Sequence, residues 1–399
     1  MKIKLLVLLQ FLTYSFCFSQ SYDPFIEALM NQTNLDSLVS YVRILSGEDS
    51  VVINGSKVLI THRVSYQGNN LAAEYIKEKL ETFGLEIYDQ QYSSQGRNIY
   101  AIQQGTIYPD KYFIYCAHYD AVTFYCADDN ASGVAGVLEA ARILSDYQFN
   151  YSIIYALWDE EEIGLVGSSF FASQADSNDM DIKGVLNFEM AGWDSNDDGK
   201  MDIHTRTISN SVLLGNFMYA IDTIYNLPLQ PVVYNPGTTA SDHNSFWQHS
   251  YSAICFSEAY YGGDFNPYYH SAQDRIDKFN LPYFHNVAKL GIGTIASLAE
   301  NIVVSAKENV IIPHSISVNN FPNPFNSSTT VRFALPEADE ISLDLYSTVG
   351  EKIKSLSAGY KLPGEYEIHL NANSLSSGVY FIILRTSERI FSHKILLLK

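Results

Sequence analysis

Two histidines and a surplus of carboxylates stand at spacings that suit a metal ion. His118 and Asp120 are two residues apart, so in an extended segment both side chains fall on one face. His118 can then bind a metal through one ring nitrogen while Asp120 holds the other. Taken alone, that pair reads better as a structural histidine with a partner than as a metal site. Asp128 and Asp129, followed by Asn130, stand before a helical pattern formed by Val134, Val137, Leu138, Ala141 and Leu144. One such residue is enough to cap a helix, and three in a row leave a surplus for a metal. Asp159, Glu160, Glu161 and Glu162 are consecutive. Four acids in a row repel one another unless they form a solvated turn or face a cation. Glu189 and His270 complete the set, the latter in a polar, aromatic stretch (Tyr268, Tyr269) where a core histidine is less natural.

The elements that must position these residues are short apolar runs at 112–117, 152–158, 184–188 and 252–256. His118 follows the first run, the acids from Asp159 the second and Glu189 the third. Helical spacing is found at 70–83, with Leu71, Tyr75, Ile76 and Leu80 on one side and Gly84 as a stop. Short apolar runs alternating with helices predict an α/β domain whose strands are buried on both faces. In such a sheet, sites form at the C-terminal ends of the strands, where all these acids and His118 fall.

Taken in order, these five pieces resemble the secreted bacterial aminopeptidases of the co-catalytic zinc type. Glutamate carboxypeptidases, glutaminyl cyclases and transferrin receptor ectodomains share that fold, and the likeness covers residues 35–300. The resemblance implies a mixed central β-sheet flanked by helices and two zinc ions per chain. His118 would bind one zinc and His270 the other, with Asp129 bridging them. Glu162 would complete one site and Glu189 the other, Glu161 would be the general base, and Asp120 would orient His118. It also implies a cis peptide between Asp129 and Asn130. Tyr269 is a candidate donor to the oxyanion, with packing as its alternative role. Histidine and carboxylate suit zinc, and a catalytic zinc keeps one position open. Paired metals can clamp both sides of a displacement. One departure from the family is Glu189, where relatives usually carry Asp. The extra methylene keeps glutaminyl cyclase, carboxypeptidase and non-catalytic binding as alternatives to cleavage at a free N-terminus. A serine hydrolase is disfavoured, because Gly167 and Ser168 lack the small-residue frame of a nucleophile elbow.

A second cation site is a further expectation. Asp194, Asn196, Asp198 and Asp202 alternate around Gly199 like a calcium loop. Its twelfth position is Thr205 rather than a bidentate Glu, and a polar hairpin turn is the alternative. His204, His243 and His249 are expected in turns or at the surface. The resemblance further implies that Asp242 and Glu258 lie near the site as supporting groups.

The ends of the chain concern export. Residues 1–19 read as a signal peptide: Lys2 and Lys4, then an apolar stretch, then Cys17 and Ser19 at cleavage offsets. Residues 22–305 form the expected catalytic domain, 306–318 a linker and 319–399 a small all-β sandwich. In the sandwich Val331, Phe333 and Leu335 alternate, as do Ile341, Leu343 and Leu345, and Tyr366, Ile368 and Leu370. With Phe321, Pro322, Asn323, Pro324 and the ending at Lys394–Lys399, this segment resembles the sorting domains of the type IX secretion pathway, which have an immunoglobulin-like fold. That implies the outer-membrane secretion machinery as a partner. The formal net charge of −19 disfavours nucleic acid and anionic lipid as partners. No later apolar run reaches membrane-spanning length. Cys116, Cys126 and Cys255 do not make a disulfide framework, and Cys116 and Cys255 are expected as buried packing residues.

Overall fold

A computed structural model describes residues 22–64, 66–300, 315–336, 339–361, 364–373, 375–387 and 389–399. The expected signal peptide and most of the expected linker lie outside these residues. Two compact units result, with the division at 302/303.

The first unit opens with helices α1 (Pro24–Met30) and α2 (Leu35–Leu45). A small antiparallel pair follows, β1 (Val51–Ile53) and β2 (Ser56–Val58), and then α3 (Tyr66–Thr82). The sequence places this helix at 70–83. It starts four residues earlier, buries Ala72, Ala73, Tyr75, Ile76 and Leu80, and is stopped by Gly84 at φ +73°.

Eight strands form the central sheet: β3 (Glu86–Gln91), β4 (Arg97–Gln103), β5 (Tyr108–His118), β6 (Tyr151–Trp158), β7 (Asp181–Phe188), β8 (Lys200–His204), β9 (Gln230–Tyr234) and β10 (Ala253–Glu258). Their order is β3-β4-β6-β5-β7-β10-β8-β9. The middle four, β6, β5, β7 and β10, are parallel, and antiparallel pairings join β4 to β6 and β8 to β10. Every residue of β6 and β10 is buried, as expected for strands covered on both faces. The covering helices are α4 (Gly133–Leu144), α5 (Val166–Ser177), α6 (Ser211–Tyr225), α7 (His243–Gln248) and α8 (Leu281–Glu300). Helix α4 approaches the sheet closely at Gly136, where a Cβ would stand 2.1 Å from the Phe188 ring. That contact fixes the start of α4 beside the end of β7.

Register aligns the strand ends. His118 pairs with Trp158 across β5 and β6, and Phe188 pairs with Phe256 across β7 and β10. Strand order reverses at β5: the connection after β5 leads to β6 on one side, and the next, from β6, crosses back to β7 on the other. This is the switch point at which open α/β sheets bind ligands.

The second unit is all-β. One sheet holds β11 (Ser317–Phe321), β12 (Ser328–Leu335) and β15 (Gly364–Asn371). The other holds β14 (Lys352–Lys361), β13 (Asp339–Ser347), β16 (Gly378–Arg385) and β17 (Ile390–Leu397). Alternating Val331, Phe333, Leu335, Leu343, Leu345, Ile382 and Leu384 fill the core. Strand β11 begins at Ser317, inside the stretch read as linker. Among the described residues, no helix is long and apolar enough to cross a membrane.

Candidate metal centre

His118 is the last residue of β5 and is buried. Its Nδ1 lies 3.2 Å from Asp120 Oδ1. Its Nε2 lies 3.3 Å from Asp129 Oδ1 and 3.3 Å from Glu189 Oε1. His270, one-third exposed and in a left-handed backbone at φ +56°, faces the same carboxylate from the opposite side. Its Nε2 is 3.1 Å from Asp129 Oδ2 and 3.1 Å from Glu162 Oε2. Two groups of converging ligand atoms result, His118–Asp129–Glu189 and Asp129–Glu162–His270, with Asp129 in both. The Asp129–Asn130 peptide is cis.

The donor set fits a cation better than it fits itself. Buried Glu162 Oε1 has no hydrogen-bond partner, and Asp129 Oδ2 makes no well-formed hydrogen bond despite its closeness to His270. Burial pushes the Glu162 carboxyl up to about 8, helped by the Asp129 charge. Burial also pushes Glu161 well above the carboxylate range, against the opposing charge of His118. Burial alone would lower His118, but the charges of Glu189 and Glu161 outweigh it and raise the group. Burial would raise Asp129, yet the closeness of His118 and His270 holds it below its ordinary value. Carboxylates crowded in this way are stabilised by a bound cation.

Around these residues the backbone is held by further acids. The Asp120 carboxylate accepts from the Glu161 and Glu162 amides, each at 3.1 Å, while Oδ1 faces His118. It therefore positions a histidine from β5 and two glutamates beyond β6 at once. Asp274 does the same for Asp129, the acid common to both groups, accepting from the amides of Asp128 and Asp129. Sequence spacing does not single out Asp274 as this partner. Asp128 accepts from the Gly192 amide and Asn266 Nδ2, and Glu258 from the amides of Trp193 and Asn266. Asp159, first of the four consecutive acids, accepts from Asn69 Nδ2 and the Arg97 amide. Its role is structural. Glu189 Oε2 accepts from Ser241 Oγ at 2.6 Å, and Ser241 Oγ in turn accepts from Asn187 Nδ2 at 2.8 Å.

Both ligand groups open on a cavity of about 150 Å³ that Glu161 also lines. Its far wall includes Met190, Cys255, Tyr260 and Phe265. Tyr269 lines it too and stacks on His270, with ring centroids 3.7 Å apart.

Other expectations resolve differently. His204 and His243 are buried rather than in turns or at the surface. His204 lies on β8 and lines the cavity, and His243 Nε2 meets Thr238 O at 2.9 Å. Each supplies a polar tip to an otherwise packed ring, which the local sequence does not signal. His249 pairs with Asp176 at a half-buried position. Asp194, Asp198 and Asp202 join neither converging group. Asp194, Asn196 and Asp198 accept from the amides of their own turn, and Asp202 accepts from the Tyr261 amide. That is the pattern of a polar hairpin turn. Asp242 is fully buried, and burial lifts it to about 7. The three described cysteines are free and buried.

Residues 98–295 match the family model of peptidase family M28, and residues 319–398 match that of a secretion system C-terminal sorting domain. A probable zinc metalloprotease of Pyricularia oryzae is 34% identical over 117 residues, 27% of this chain and 23% of that protein. This chain thus matches about a quarter of that relative's length. The LapA aminopeptidase of Legionella pneumophila has the same fold, with a TM-score of 0.63 at 20% identity, over 73% of this chain and 78% of that one. A glutaminyl cyclase of Bacteroides thetaiotaomicron also shares it, with a TM-score of 0.55 at 18% identity, over 66% and 98%. The sorting domain indicates export across the outer membrane and recognition by the type IX machinery. Residues 98–295 thus form a domain that matches peptidase family M28, with a probable zinc metalloprotease among the relatives of that segment.

Proposed function

We propose that this protein is an aminopeptidase that uses two zinc ions to release N-terminal residues from peptides. The observation that carries the reading is the sharing of Asp129 between two complete ligand groups. Asp129 would be shared by the two sites, with His118 and Glu189 holding one ion and Glu162 and His270 the other. Zinc, when bound, supplies Lewis acidity that acidifies water and polarises a carbonyl. Glu161 takes a proton at its carboxylate from the attacking water and delivers it to the leaving amine. Its amide is anchored on Asp120, and its carboxyl, raised above its ordinary value by burial, faces the cavity. Tyr269, on the cavity wall beside His270, donates to the oxyanion.

Charge favours a free amine over a free carboxylate. Asp129, Glu161, Glu162 and Glu189 line the cavity, and among its described lining residues none is Arg or Lys. A carboxypeptidase needs a cation to hold the terminal carboxylate. A single-metal glutaminyl cyclase would leave the close approach of His118, Asp129 and Glu189 without a use. The test is hydrolysis of leucine p-nitroanilide and of its N-acetylated form by wild type and Glu161→Gln, with zinc counted per chain. Cleavage of the free-amine substrate alone, abolished in the variant at unchanged zinc content, is the expected result. No cleavage at full zinc loading, with turnover of an N-terminal glutaminyl peptide instead, would replace this reading by the cyclase.

A further inference from the structure

The loop from His118 to Asp129 carries one ligand candidate at each end. It turns through two non-glycine residues with left-handed backbone, Tyr125 at φ +70° and Cys126 at φ +46°. Such conformations are uncommon outside glycine and need support from their surroundings. Arg63 supplies that support and is 0% exposed. Its Nε donates to Tyr119 O at 2.7 Å. Nη1 donates to Tyr125 O at 3.0 Å and to Leu45 O at 2.6 Å. Nη2 donates to Cys126 O at 2.7 Å and to Asp129 O at 3.4 Å.

Four of these five acceptors belong to the loop between the ligands. The fifth is the last carbonyl of α2, which a helix leaves without an internal partner. Among the described residues no carboxylate comes within ion-pair distance of this guanidinium. A buried cation without an acid partner is costly. The rigid fork of an arginine can nevertheless satisfy several fixed carbonyls at once, which a lysine cannot. Asp129, Asp274 and Asp120 all act on its charge from nearby.

We propose that Arg63 is a positioning residue of the metal centre. Its fork fixes the loop so that His118 and Asp129 already face each other before a metal arrives, and its charge offsets the acids gathered there. The inference rests on the metal-centre reading given above. Its test compares wild type with Arg63→Lys, which keeps the charge and loses the fork. Zinc affinity is measured by chelator competition, kcat and KM on leucine p-nitroanilide, and stability by urea unfolding of the metal-free proteins. The expected result is zinc binding weaker by roughly 10–100-fold, with kcat lowered and KM unchanged. Unaltered zinc affinity and kcat, with only a loss of stability, would reduce Arg63 to packing and overturn the proposal.

A second measurement needs no variant and guards against one that does not fold. In metal-free wild type, the amides of Tyr125, Cys126 and Ala127 should stay protected from hydrogen exchange. Free exchange there would mean that metal, not Arg63, orders the loop. If wild type binds zinc but cleaves no free-amine substrate, the aminopeptidase reading fails, while zinc affinity and exchange still decide the role of Arg63.

Discussion

Removing the Ser241 hydroxyl should weaken one metal site and spare the other. Glu189 turns Oε1 toward His118 Nε2 and spends Oε2 on Ser241, at 2.6 Å. Ser241 is itself fixed by Asn187, a fully buried residue of β7. The bond is short and its acceptor charged, so its loss is worth about 1.5–3 kcal/mol. At 1.4 kcal/mol for each factor of ten, Ser241→Ala should weaken zinc at the His118–Asp129–Glu189 group by roughly 10–100-fold. The freed Glu189 oxygen would otherwise swing and lose its fixed aim, a freedom that its extra methylene increases. A two-site zinc titration against a competing chelator separates the sites. The group built on Glu162 and His270 shares only Asp129 with this chain of bonds and should keep its affinity. Equal weakening of both sites, or of neither, would refute the argument that Ser241 acts through Glu189.

Three further outcomes follow from the geometry. Asp120→Asn sets an amide against the backbone N–H groups of Glu161 and Glu162, so kcat should fall by roughly 10–100-fold in steady-state kinetics. Stripping the metal should lower the stability of the M28 unit, by about 4 kcal/mol relative to zinc at a thousand times its dissociation constant; calorimetry with and without chelator reads this directly. Asp222 on α6 is buried, has an oxygen without a partner, and is pushed by burial to about 7. Its folded value exceeds its unfolded one, so its contribution is fully present below about pH 4 and is lost as pH rises through 7. Asp222→Asn should therefore match wild type near pH 4.5 and exceed it at pH 8 by roughly 2 kcal/mol in urea unfolding.

Much of this was legible in the sequence because its signals are local. Strands β5, β6 and β7 announce themselves as apolar runs, and a candidate ligand or base follows within a few residues of each run: His118, then Glu161 and Glu162, then Glu189. An acid at a strand end has nowhere to go but the sheet edge, so order along the chain becomes proximity in space. Arg63, Ser241 and Asp274 carry no such mark. Arg63 and Asp274 act on backbone groups, which every residue possesses, and Ser241 acts on Glu189 across the sheet edge from another connection. His204 and His243 were misplaced for a related reason. A histidine in a polar stretch resembles a turn residue until helices and strands close over it. At Asp194–Asp202 alternating oxygens suggest a cation, and in the fold several of them accept from backbone amides.

The acids of the site fall into classes that only the fold can separate. Asp159, Asp120 and Asp274 spend their oxygens on backbone amides, and so hold strand ends and loops in place. Asp129, Glu162 and Glu189 keep an oxygen turned toward a histidine that belongs to another segment. Glu161 lines the cavity with its carboxyl while its amide is tied to Asp120. Neighbours in sequence thus take different tasks: Asp159 braces, Glu161 faces the cavity and Glu162 converges on His270. The reason is direction. Beyond Trp158 the chain leaves the extended conformation, Glu160 adopts φ +57°, and successive side chains no longer alternate between two faces. A run of four like charges is therefore a way to aim carboxylates in several directions from one strand end, and their mutual repulsion is the feature that makes the site ready for cations.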